Sequence, residues 1–291
     1  MGGAKSIACL MALLLAGCSG TRHIVVGSKN FTEQNLLGEI LARHLERRLK
    51  VAVDRKLNLS GTLLAHEALA TGQIDLYPEY TGTALTAILK LPPSADHAQV
   101  LAQVREEYRR RWKLEWIAPL GFGNTFAMAV RGDTARAGGI ATLSDAARRR
   151  EGWLLGAGYE FTQRADGLEG LVRAYGLRLR EPPVSMDLGL LYQALQNKQV
   201  DMVAANSTDG LLSVLDVVVL RDDKDYFPPY ECAVVVRQAT LDAFPGLRAA
   251  LEELSGRLSE AAMRRLNHSI DGKRRPLREV ADEFLDGLPR R

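Results

Sequence analysis

Apolar and polar positions along this chain repeat with two periods, one of strands and one of helices. "HIVVGS" (His23–Ser28) is a short apolar run of the kind that forms a buried strand. The segment after it, "TEQNLLGEILARHLERRL", carries Leu37, Leu41, Leu45 and Leu49 at four-residue spacing. That spacing predicts a helix, with Thr32 as its N-cap and Glu33 and Gln34 in its first turn. "VAVDRKLNL" predicts a second strand, "TLLAHEALATG" a short helix closed by Gly72, and "QIDLY" a third strand. Pro78 should end that third strand, because proline has no N–H to give to a ladder. The alternation resumes from about Ala141, with "WLLGAG" and "VDMVAA" as strands and helices opening near Asp166 and Asp187. From Phe244 onward the pattern is helical alone. Strands alternating with helices predict an α/β fold with mainly parallel sheets.

A weak internal repeat adds to this pattern. "EALATGQIDLYPEYTGT" from Glu67 aligns with "QALQNKQVDMVAANSTD" from Gln193 at a constant offset of 126 positions, so that Asp75 meets Asp201 and Tyr80 meets Asn206. Phe31-Thr32 and Phe161-Thr162 form a second match, at an offset of 130 positions, each pair between a strand and a helix. The repeat predicts two lobes of similar construction. In open α/β sheets, ligands bind beyond the carboxyl ends of the strands. Two facing lobes therefore direct Ser28 and Lys29, Tyr80 to Thr83, Tyr159 to Arg164, and Asn206 to Asp209 into one cleft.

The first residues break the pattern. Lys5 is the only charge before Arg22, and an apolar run from Ile7 to Gly17 follows it. The run is too short to span a bilayer but fits the core of an export signal. It ends "LAGC" (Leu15–Cys18), which resembles a bacterial lipobox, with cleavage before Cys18 and lipid on its sulfur. Cys9 would leave with the signal. Cys232 then stands alone, and no internal disulfide can form. The composition of the full 291-residue chain, with 25% charged residues and a net charge of +3, is that of an ordinary soluble protein and gives no reason to expect a nucleic-acid partner.

Enzyme readings find little support. The histidines at 23, 44, 66, 97 and 268 have no metal-ligand spacing, and there is no CxxC, no GxSxG and no P-loop. No cofactor is expected. Binding readings fare better. Lys29 and Arg164 each lie between a strand and a helix, where helix N-termini favour anions, and arginine can grip a carboxylate with two bonds. Tyr80, Phe126 and Tyr230 offer ring faces, which attract quaternary ammonium.

"VVGSKNFTEQNLLGEIL", "YPEYTGTAL", "LGFGNTFAMAVR", "QALQNKQVDMVAANSTDG" and "LRDDKDYFPPYECAVVV" together resemble the substrate-binding proteins of osmoprotectant ABC importers, which bind glycine betaine, choline, carnitine and related quaternary amines. The resemblance covers about Ile24 to Leu285. It implies a two-lobed clamshell of the periplasmic-binding-protein type, each lobe a mixed, mainly parallel sheet flanked by helices. It also implies hinge strands near Leu120–Phe122 and Asp225–Tyr230. The expected division is 1–17 as signal, 18–122 and 226–291 as one lobe, and 123–225 as the other. The implied site is an aromatic cage with a cationic grip. Lys29 and Arg164 take a carboxylate, and these two, with Tyr80, Thr83 and Tyr230, match family positions, while Phe126 offers a ring face to the cation. Phe126 and Asn206 stand where such members carry tyrosine; the amide of Asn206 opens the cage. The implied role is that of an exported, lipid-anchored monomer in the periplasm or at the cell surface, delivering ligand to a permease driven by a separate ATPase. The alternative is a clamshell sensor or binding protein for another zwitterion, such as carnitine or ergothioneine, without a transport role.

Overall fold

The computed structural model describes residues 23–289; the expected signal and Cys18 lie outside them. Ten strands form two sheets: β1 (Ile24–Gly27), β2 (Val53–Lys56), β3 (Leu76–Tyr80), β4 (Leu114–Trp116), β5 (Phe126–Arg131), β6 (Leu155–Ala157), β7 (Val184–Ser185), β8 (Met202–Asn206), β9 (Val217–Val219) and β10 (Cys232–Arg237). The first sheet runs β2-β1-β3-β10-β4 and the second β7-β6-β8-β5-β9. The two orders correspond strand for strand. In each, three strands run parallel, and the fourth pairs antiparallel with both its neighbours. The offset seen in the sequence is thus a structural repeat, with β3 equivalent to β8.

The central strands β5, β8 and β10 are buried on both faces, which is why they read as nearly unbroken apolar runs. Along β10, Cys232, Val234 and Val236 join one core cluster, while Ala233 and Val235 join the other. Along β8, Met202 and Ala204 part in the same way from Val203 and Ala205. The helix Thr32–Leu49 covers the first sheet with Leu36, Leu37, Ile40, Leu41 and Leu45.

Two expectations need correction. Thr32 is not the N-cap: Phe31 holds that position in extended conformation, and Thr32 Oγ1 donates to Asp271 Oδ1 at 2.6 Å, an acceptor brought in by the helix Glu260–Asp271. Pro78 does not end β3, which runs on to Tyr80. Val234, opposite Pro78, gives its carbonyl to the Ile117 N–H and so turns away from it. The prolyl nitrogen therefore faces the β1 side, where pairing stops at Leu76 and no donor is missed.

The sheets are joined by two segments that pair with each other. Cys232 N donates to Phe122 O at 3.0 Å, and Asn124 N donates to Tyr230 O at 3.1 Å. These are the stretches from which hinge strands were expected.

Candidate functional site

Tyr80 and Asn206 are the last residues of the equivalent strands β3 and β8. Phe126 opens β5 directly opposite Asn206 in the ladder, and Tyr230 lies just before β10. After Tyr80 the chain turns at once into a helical turn, Thr81–Thr83, and then a π-turn, Ala84–Ile88. Gly82 permits the contact that follows. A Cβ there would lie 2.6 Å from Pro229 O and 2.8 Å from the Tyr230 ring. With hydrogen in that place, the Tyr230 ring packs on the backbone of this turn.

Four of the predicted residues meet across the lobes. Arg164, at the end of the helix Tyr159–Gln163 after β6, donates to Thr83 Oγ1 at 2.9 Å. Its guanidinium lies 5.0 Å from the centre of the Phe126 ring and 5.6 Å from that of Tyr230. The two rings stand edge to face at 6.1 Å, with Phe161 and Phe227 completing the aromatic group around Phe126. Asp166 ties the cluster together. It accepts from Arg164 Nε at 2.8 Å and Nη2 at 2.5 Å, from Thr86 Oγ1 at 2.8 Å and from Tyr230 OH at 2.6 Å. Burial pushes the Asp166 carboxyl up, but its bonds to Arg164, Tyr230 and Thr86 outweigh that and hold it below the usual range. Burial would lower Arg164 in turn, and the bonds from Asp166 raise it instead. Burial also drives the Tyr230 phenol well up, so it stays protonated and donates.

Lys29 and Tyr80 belong to a second cluster. Lys29 Nζ and Glu79 Oε1 are 2.5 Å apart with both side chains buried, and Nζ lies 5.2 Å from the centre of the Tyr80 ring. Glu79 also accepts from Tyr77 OH at 2.9 Å and from Tyr80 N at 2.7 Å. The Tyr80 phenol donates to Glu33 Oε1 at 2.6 Å. Glu33 further accepts from Asn124 Nδ2 at 2.9 Å and from Asn267 Nδ2 at 3.1 Å, and Asn267 Nδ2 lies 2.9 Å from Thr208 O of the second lobe. Burial raises the Glu33 carboxyl, and the bonds from Tyr80, Asn267 and Asn124 offset only part of this.

Lys29 and Arg164, the residues expected to take a carboxylate, are both paired within the protein. Each carries a buried carboxylate of its own. Breaking a buried pair costs about 3–5 kcal/mol, so neither gives up its partner cheaply. Asn206 is half-buried, and its N–H donates to Asp209 Oδ2 at 3.0 Å, which also accepts from Tyr192 OH at 2.9 Å. Burial, with Glu33 and Asp271 facing it, pushes the Asp209 carboxyl up to about 6.

Sequence reasoning missed the acids. Glu79 lies inside "YPEYTGT", Glu33 was read as a first-turn residue, and Asp166 as a helix start. The signal was present in outline: a carboxylate inside an apolar run such as "IDLYPEY" must find a partner. Asn124 and Asn267 gave no such signal, because only the lobe contact brings them to Glu33.

A family model described as the substrate-binding domain of the ABC-type glycine betaine transport system matches residues 22–287. A glycine-betaine-binding protein of Pseudomonas aeruginosa is 34% identical, over 94% of this chain and 90% of its own. An ergothioneine transport permease/ergothioneine-binding protein of Helicobacter pylori is 32% identical over 92% of this chain, which spans only about half of it (48%). A solved glycine betaine/carnitine/choline ABC transporter structure superposes with a TM-score of 0.75 at 30% identity, covering 90% of this chain and 97% of that one. The chain belongs to the family of substrate-binding domains of ABC-type glycine betaine transport systems.

Proposed function

We propose that the chain is an extracytoplasmic solute-binding lipoprotein, exported by residues 1–17, anchored through Cys18, and serving an ABC permease with a separate ATPase. Its ligand is a zwitterion with a quaternary amine, such as glycine betaine. One observation carries the reading: Thr83 and Tyr230 from the first lobe meet Phe126 and Arg164 from the second, with a cation already resting on two ring faces. Rings that hold a guanidinium at 5.0 and 5.6 Å have the electrostatics a trimethylammonium group needs. In this reading Phe126, Tyr230 and Tyr80 take the cation, and Thr83 with Arg164 takes the anionic end. Lys29, neutralised by Glu79, forms part of the wall. Glycine betaine and ergothioneine, the ligands named for two of the relatives, both join a trimethylammonium group to a carboxylate.

Asn206 sets how complete the cage is. It stands beside Phe126 in the ladder, where a ring would add a further face. One cation–π contact contributes about 0.5–2 kcal/mol, so Asn206→Tyr should tighten glycine betaine binding by roughly tenfold. Calorimetric titration with glycine betaine, carnitine, choline and ergothioneine tests the reading. Heat is expected from the carboxylated compounds and less from choline. Silence from every trimethylammonium compound rejects the ligand class.

A further inference from the structure

The helix Thr62–Ala70, on the first lobe, begins without a capping side chain of its own. Its N-cap is Gly61, in extended conformation. The first amide is nonetheless bonded, by a residue of the other lobe. Glu160, in the helix that follows β6, accepts from Thr62 N through Oε1 and from Thr62 Oγ1 through Oε2 at 3.2 Å. Thr62 is buried by this contact, whereas Leu63, Leu64 and Tyr159 beside it are 62%, 61% and 71% exposed. The contact therefore lies at the rim of the lobe interface, outside either core.

A carboxylate at a helix N-terminus satisfies an orphaned N–H and meets the positive end of the macrodipole. Here the cap comes from 98 positions away in sequence. Gly61 makes room for it: a Cβ there would overlap the Glu160 carboxyl, and the nearest atoms it meets are all those of Glu160. The φ of Gly61, −93°, suits any residue, so the glycine answers to the carboxylate and not to the backbone.

We propose that Glu160 is a positioning residue for ligand binding. It holds the clamshell shut by capping a helix of the opposite lobe in trans, and Gly61 is the gap that admits it. The inference rests on the binding role proposed above, but its test separates the two. Spin labels on Gln103→Cys and Arg173→Cys, exposed positions on opposite lobes, report the inter-lobe distance with and without saturating glycine betaine. The unsubstituted latch is expected to populate a short distance. Glu160→Ala should shift the closed-to-open ratio by about 3- to 30-fold toward open, the range of a lost N-cap, and Glu160→Gln by less. Gly61→Ala should act like Glu160→Ala, and each variant should stay folded, losing no more stability without added ligand than one helix N-cap contributes. Where glycine betaine binds, it should leave the variants faster by the same factor. Unchanged distances in both alanine variants overturn the proposal, as does a protein that never reaches the short distance. A protein that closes but gives no heat with glycine betaine removes the ligand reading and leaves the latch standing.

Discussion

At the scale of single residues, the site is governed by carboxylates that have to be neutralised or protonated. Asp166 and Glu79 are neutralised, by Arg164 and Lys29. Asp209 is not, and faces Glu33 and Asp271 with its carboxyl raised to about 6. A group raised in the folded state favours folding below its unfolded pKa of about 3.9, and that contribution is lost as pH rises through the folded value. Asp209→Asn should remove this loss, so its stability relative to the parent should improve between pH 4 and pH 8 by on the order of 3 kcal/mol. Chemical denaturation across that range checks it; parallel curves for parent and variant contradict it. The aromatic and hydroxyl members of the site could be read from the sequence because they sit at strand ends: Tyr80 closes β3 and Thr83 follows it, Phe126 opens β5, and Tyr230 precedes β10. Their acidic partners could not, since a buried acid announces that it needs a partner without saying which.

At the scale of elements, the turn after β3 does most of the positioning. It has to let Tyr230 lie against its backbone while aiming Thr83 at Arg164. Gly82→Ala places a methyl against Pro229 O and the Tyr230 ring, an overpacking that costs about 1–3 kcal/mol. Ligand affinity and unfolding midpoint should both fall; a variant as stable and as tight as the parent refutes the packing account. Elements were legible wherever periodicity decided them, as with the helix Thr32–Leu49 and the strands β1, β3 and β8. Reading stopped at their ends. Pro78 stays inside β3 because its nitrogen turns away from β10, and Thr32 is drawn to Asp271. Both outcomes depend on neighbours distant in sequence, and no local propensity encodes them.

At the scale of the whole molecule, the repeat carried the architecture. An offset of 126 positions in sequence became two sheets of matching strand order, with Tyr80 and Asn206 at equivalent strand ends. What it could not encode is how the halves meet. Glu160 on Thr62, Arg164 on Thr83 and Asn267 on Thr208 are contacts between parts of the chain that share no periodicity. They bring together the residues on which the functional reading depends. The most direct measurement is a crystal structure grown with saturating glycine betaine. Density for the ligand between the two sheets, its methyl groups against Phe126 and Tyr230 and its carboxylate at Thr83 and Arg164, is the predicted result. Ligand density anywhere else on the protein, or none in a closed molecule, contradicts the account.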